Sequence, residues 1–205
     1  MKDIIKEVEK YYTDKIVQFG ATPKGVDWNS IESQELRYEV LTKIIPRNKD
    51  FFSILDYGCG FGGMYNYYLN LFENFNYTGF DISEKMIEAA KKNAPEKENL
   101  NWATSLENQK YDYVIASGIF NVKFDTTEEE WLKYILETLD KINEISTKGF
   151  SFNVLTKYSD KEFMKENLYY ADPLFLFDYC KKNFSRNIAL LHDYELYEFT
   201  LLIKK

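Results

Sequence analysis

The stretch Ile54-Leu55-Asp56-Tyr57-Gly58-Cys59-Gly60-Phe61-Gly62 decides the fold. Phe51 to Leu55 is a short apolar run that reads as a buried strand. A helix is expected to follow from about Gly62 to Phe72. Between the two, Gly58 and Gly60 tolerate positive φ and let a ligand lie against bare backbone. The helix N-terminus would then point free N–H groups at that ligand. In open α/β sheets such loops lie outside the carboxyl ends of the strands, where ligands bind.

Outward from this point the chain alternates. Strands are expected at Tyr77–Phe80, Leu100–Ala103, Tyr111–Ala116 and Phe150–Leu155. A helix capped by Ser83 runs to about Asn93. Thr127 and Glu130 form a capping box before a helix that carries Trp131, Ile135, Leu139 and Ile142 on one face. Asp172-Pro173 opens a helix to about Phe184. Toward the N-terminus, helices are expected at Asp3–Ile16 and, from a capping box of Asn29 and Glu32, at Ile31–Ile45, ended by Pro46. Repeated β-α units imply a parallel sheet with helices on both faces. Ile188–His192 and Leu196–Ile203 have only about three residues between them, too few for a parallel crossover, so that pair is antiparallel.

The 205 residues suit one domain, 1–205, with 1–50 as a helical lid segment and 51–205 as the core. No apolar run approaches a membrane span, and Met1 to Lys10 lacks a signal-peptide core, so a cytoplasmic protein is expected. Cys59 and Cys180 have no CxxC partner and His192 is the single histidine, which argues against a disulfide or a zinc site. The net charge of −7, with three arginines, leaves no basic stripe for nucleic acid. Nothing in the sequence specifies an oligomeric state.

The glycine loop by itself is ambiguous, because Gly58, Gly60 and Gly63 also satisfy the GxGxxG dinucleotide pattern. Three features tilt the choice away from a nicotinamide-dependent oxidoreductase. A carboxylate at Asp56 sits poorly beside a pyrophosphate and suits a ligand with an ammonium group and a sulfonium. Asp81 ends the second strand, where an acidic group accepts ribose hydroxyls. The terminal antiparallel pair is foreign to a simple nucleotide-binding half.

Asp56 to Gly62 (DYGCGFG) resembles motif I, DxGxGxG, of class I S-adenosylmethionine (SAM)-dependent methyltransferases. Tyr77 to Ile87 (YTGFDISEKMI) and Tyr111 to Phe120 (YDYVIASGIF) are similar to the second and fourth-strand motifs of that family, over roughly residues 50 to 205. The resemblance implies a Rossmann-like seven-stranded sheet, mostly parallel, with an antiparallel C-terminal β-hairpin. It implies SAM as cofactor and S-adenosylhomocysteine (SAH) as product. Asp56, with the backbone of Gly58 and Cys59, would hold the methionine part, and Gly60 and Gly62 would let the cofactor approach the turn. Asp81 would bind the ribose, and Ile82 and Met86 would pack on the adenine. Thr104, Ser105 and Leu106 stand where many members carry an adenine-reading Asp. Ser117 would border the methionine amine. A non-catalytic SAM-binding protein remains compatible with the same motifs.

The acceptor side is read from topology. Loops after the fourth, fifth and sixth strands bring Asn121, then Tyr169, Tyr170 and Asp172, then His192 toward the acceptor. His192 is the candidate base for a hydroxyl acceptor, since its unperturbed pKa lies near 6.5. In the first 50 residues Tyr12, Trp28 and Gln34 are placed near the cleft, and Arg37 is a candidate partner for the methionine carboxylate. No NPPY-like segment follows the fourth strand and no paired-cysteine nucleophile is present, which removes support for adenine N6 and cytosine C5 chemistry. O-methylation of a small molecule or glycan is the remaining class. The GVDWNS segment and the C-terminal tail also resemble small bacterial methyltransferases linked to surface-polysaccharide (capsule) synthesis, which implies capsular sugars and their phosphoramidate decorations as acceptors.

Overall fold

The computed structural model describes residues 2–47, 50–94, 96–107 and 109–205. Seven strands form one sheet in the order β3-β2-β1-β4-β5-β7-β6. They are β1 (Phe52–Tyr57), β2 (Phe75–Phe80), β3 (Leu100–Ala103), β4 (Tyr111–Ala116), β5 (Ser146–Leu155), β6 (Asn187–Leu191) and β7 (Glu198–Lys204). The helices are α1 (Lys2–Phe19), α2 (Ile31–Thr42), α3 (Gly63–Leu69), α4 (Glu84–Asn93), α5 (Glu128–Ile145) and α6 (Pro173–Asn183). The β1, β2, β3, β4 and β5 pairings are parallel. Strand β7 inserts between β5 and β6 and runs antiparallel to both. This is the Rossmann-like methyltransferase sheet with helices on both faces that the sequence predicts.

The pleat divides the core. Ile54, Tyr113 and Ile115 pack with α2 and α3 on one face. Leu55, Val114, Phe150, Phe152 and Phe199 pack with α5 and α6 on the other. Where β5 and β7 meet α2, the alternation instead presents buried polar side chains: Ser151, Asn153, Glu198 and Thr200. Among the described residues no helix stands between β3 and β4. The chain turns one way after β1 and the other way after β4, so a crevice opens between their carboxyl ends.

Several boundaries differ from the sequence reading. Helix α2 is capped by Ser30, whose hydroxyl accepts from Ser33 N while Ser33 Oγ accepts from Ser30 N. Asn29 and Glu32 therefore do not form its capping box. The cap lies one residue later, so the backbone donor it meets is Ser33 N and not Glu32 N. Thr127 caps α5, but Glu130 takes the Thr127 hydroxyl and not the cap's backbone N–H. The turn between β6 and β7 spans residues 192–197, longer than expected, because β7 starts at Glu198. Helix α3 stops at Leu69, short of Phe72, because the backbone N–H groups of Asn70, Leu71 and Phe72 turn back onto Tyr67 and Tyr68.

Candidate active site

The cleft sits at the crevice and encloses about 1100 Å³, counting its open mouth. Its floor is the turn after β1. Gly58 and Cys59 both donate their backbone N–H to Phe80 O, at 2.8 and 2.9 Å, which ties the loop to the end of β2. Gly58 holds φ at +84°, and a Cβ there would lie 2.3 Å from Ile119 Cγ2. Gly58→Ala should therefore cost about 1–3 kcal/mol, from left-handed backbone plus overpacking against a β-branched side chain. Thermal unfolding should show a fall of several degrees, and an unchanged melting temperature would mean the turn is not constrained.

Gly60 also lines the cleft, and a Cβ on it would lie 2.8 Å from Val26 Cγ1. Gly62 does not line it. Its bare Cα makes room for the Trp102 ring, 2.5 Å from where a Cβ would stand, so its role is packing and not cofactor approach. Cys59 lines the cleft with its thiol pushed well above the ordinary range by burial, which suits a small filler.

Two carboxylates face the cleft. Asp56 is 2 % exposed and accepts one hydrogen bond, from Tyr77 Oη at 2.5 Å. Burial raises its pKa to about 7, against the lowering effect of that hydrogen bond. Asp81 is pushed up to about 6, first by burial, with the hydrogen bonds from the Ser83 and Gly60 backbone opposing. Gly60 N donates to Asp81 Oδ2 and Ser83 N to Oδ1, each at 2.9 Å. Each oxygen keeps a further lone pair for an incoming hydroxyl. Ser117 Oγ also lines the cleft, is buried, and has no hydrogen-bond partner among the described residues. A buried carboxylate raised by desolvation and a buried hydroxyl with lone pairs to spare suit a cationic donor.

Ile82 and Met86 line the next part of the cleft, and Tyr12 and Gln34 close it from above. Helix α1 adds Ile5 and Val8 and is tied down by Thr13 Oγ1 to Ser83 Oγ at 2.7 Å. Tyr11 and Lys15 reach Asp27 at 2.9 and 2.8 Å.

The remaining sequence candidates lie elsewhere. Arg37 is no free partner for a carboxylate: its Nε donates to Glu198 Oε2 at 2.9 Å and its guanidinium lies flat on Trp28. Thr104 and Ser105 are exposed, and Leu106 packs on the α5 side of the core; none lines the cleft. Asn121 is buried, accepting Leu155 N on Oδ1 and Tyr169 N on its carbonyl. Tyr169 is core, Tyr170 Oη accepts Lys165 N, and Asp172 caps α6 while pairing with Lys157. His192 is exposed, with its ring against Tyr158 and Phe199. Neither these four nor His192 lines the cleft; the first four are held by the contacts just named.

Other lining residues were not anticipated. Tyr38 faces the cleft from α2, and Tyr134, Thr138 and Lys141 face it from α5. The last three recur at helical spacing on one face of α5 and were legible as such. They are overshadowed by the stronger apolar stripe of Trp131, Ile135, Leu139 and Ile142 beside them.

A sheet of this order with a glycine-lined crevice, an acidic residue at the end of β1 and another at the end of β2 is the architecture of a methyltransferase. A family model described as a methyltransferase domain matches residues 55–144. The chain is 46 % identical to Rv1506c of Mycobacterium tuberculosis, a protein assigned as a methyltransferase, over 76 % of this chain and 95 % of that one. The chain belongs to this methyltransferase family. It is also 28 % identical to malonyl-[acyl-carrier protein] O-methyltransferase 2 of Ilyobacter polytropus, over 63 % of this chain and 49 % of that one. Among solved structures, the magnesium protoporphyrin IX methyltransferase of Synechocystis PCC 6803 with bound SAH superposes with a TM-score of 0.69 at 16 % identity. That match covers 98 % of this chain and 99 % of the other, and shows the shared fold. No helix among the described residues is long and apolar enough to cross a membrane.

Proposed function

We propose that the protein transfers the methyl group of SAM to an oxygen of a small-molecule or glycan acceptor and releases SAH. The observation that carries this reading is one cleft, beside a glycine turn, lined by the buried Asp56 carboxylate and by Ser117 Oγ, which has no hydrogen-bond partner among the described residues. An ammonium group bound there would pair with both. Asp56, Ser117 and the backbone of Gly58 and Cys59 would hold the methionine part, Asp81 the ribose, and Ile82 and Met86 the adenine. When bound, SAM supplies an electrophilic methyl on a sulfonium.

This chain's contribution is then alignment and exclusion of water. Tyr12 and Trp28 turn aromatic surface to a cationic ligand. Helices α1 and α2 and the segment between them would form the cover of a single methyltransferase domain. The name of the I. polytropus relative supports oxygen as the accepting atom. Surface-polysaccharide sugars and their phosphoramidate groups are the acceptors we favour, on the resemblance of the GVDWNS segment and the tail. His192 has no part in the proton transfer we propose, since it lies outside the cleft.

Thermal unfolding with SAM, SAH or NADH, each at about 100 times its dissociation constant, tests the reading. A true ligand adds about 2.7 kcal/mol, or roughly 5 to 10 °C for a chain of this size. SAM and SAH should shift the transition and Asp81→Ala should shrink that shift. A shift with NADH alone would overturn the proposal. SAH release with an added acceptor separates an enzyme from a non-catalytic SAM binder.

A further inference from the structure

Five residues far apart in sequence close a ring beside the cleft. Gly118 N donates to Asn153 Oδ1 at 2.8 Å, and Asn153 Nδ2 donates to Glu198 Oε1 at 2.7 Å. Arg37 Nε donates to the other carboxylate oxygen, Oε2, at 2.9 Å. The Arg37 guanidinium lies 3.9 Å from the centre of the Trp28 ring. The edge of that ring returns to Gly118, where a Cβ would stand 2.4 Å from Trp28 Cη2. Trp28 and Gly118 line the cleft, whereas Arg37, Asn153 and Glu198 do not.

The ring ties the segment before α2, and α2 itself, to the sheet at β5, β7 and the turn after β4. Its charges are buried, with Arg37 8 % and Glu198 0 % exposed. A buried pair of this kind gains little stability over apolar side chains of similar volume. What it does supply is direction, since the planar guanidinium holds a ring on its face and a carboxylate on its edge. Gly118, at φ +72°, is the residue next to the unpartnered Ser117 hydroxyl.

We propose that Arg37, Asn153 and Glu198 are positioning residues that fix the Trp28 ring against the Ser117-Gly118 turn, giving that wall of the cleft its cofactor-binding shape. This rests on the SAM reading given above.

The test uses the full chain labelled with 5-fluorotryptophan. It has three tryptophans, so its ¹⁹F spectrum has three signals, and Trp28→Phe assigns one of them. SAH is the titrant. In Arg37→Met/Glu198→Gln, which keeps an acceptor for Asn153, the Trp28 signal should be displaced in the free protein. The Trp102 and Trp131 signals should stay in place, and the SAH dissociation constant should rise tenfold or more. Arg37→Lys keeps the charge and loses the planar stack, so it serves if the double variant does not fold. It should displace the same signal and weaken SAH at least threefold. A purely structural role would lower the melting temperature but leave the Trp28 signal and the SAH affinity of the folded protein within twofold of wild type, which overturns the proposal. A wild-type protein that does not bind SAH at all overturns the cofactor reading and this role together, a distinguishable result.

Discussion

Asp56→Asn is expected to make the free protein more stable at pH 8 while abolishing its response to SAM. Asp56 is raised from 3.8 to about 7 in the fold, chiefly by burial. A carboxylate whose folded pKa is raised contributes stability that is fully present below its unfolded value and is lost as pH rises through the folded one. At pH 8 the native state therefore carries an ionised group it disfavours, by on the order of 4 kcal/mol for about three pKa units. Asparagine removes that burden and still accepts the Tyr77 hydroxyl. The difference in melting temperature between variant and wild type should be near zero at pH 4 and grow toward pH 8. SAM binding should behave in the opposite way. Its ammonium favours the ionised carboxylate, so wild-type affinity should climb as pH rises through about 7, and the variant should show no such climb. Asp81, at about 6, adds a smaller rise at lower pH. A variant that is less stable than wild type at pH 8, or that keeps the wild-type shift with SAM, would contradict this account.

Breaking the Arg37–Glu198 pair should give an asymmetric result. Glu198→Ala leaves a buried guanidinium that cannot shed its proton, so the cost should be about 3–5 kcal/mol and flat from pH 5 to 9. Arg37→Met leaves a buried carboxylate that can. Burial already raises the Glu198 pKa, with Arg37 and Asn153 pulling it down. Without Arg37 it rises further, the group takes up a proton, and the cost should be smaller at pH 5 than at pH 8. By the same linkage sign, the stability held by the protonated form is lost as pH rises through the folded pKa. Urea denaturation of both variants across that range measures it. Equal and pH-independent losses would mean that the carboxylate stays ionised without its partner.

Both predictions concern residues that the sequence treats unequally. Asp56 stands in a local motif: strand, carboxylate, three glycines, helix. Each part depends on neighbours a few residues away, so the fold class and most of the residues that line the β1 side of the cleft can be read from the letters alone. Asp81, Ile82 and Met86 follow the same logic one strand later. Arg37 shows the limit. On α2 it could face solvent, a ligand carboxylate or a buried partner, and the local sequence pattern does not choose among them. The choice is made by Glu198, 161 residues away, which the antiparallel insertion of β7 beside β5 brings under α2.

The acceptor side fails for the same reason. Tyr169, Tyr170, Asp172 and His192 follow the correct strands, but where a loop of that length folds depends on contacts such as Tyr169 N to Asn121 O and Lys157 to Asp172. Short-range periodicity and backbone conformation specify the strands, the glycine turn and its carboxylates, so these are legible in the chain. Which side chains of α1, α2 and α5 enclose the cleft depends on contacts between residues distant in sequence, and such contacts leave no local pattern.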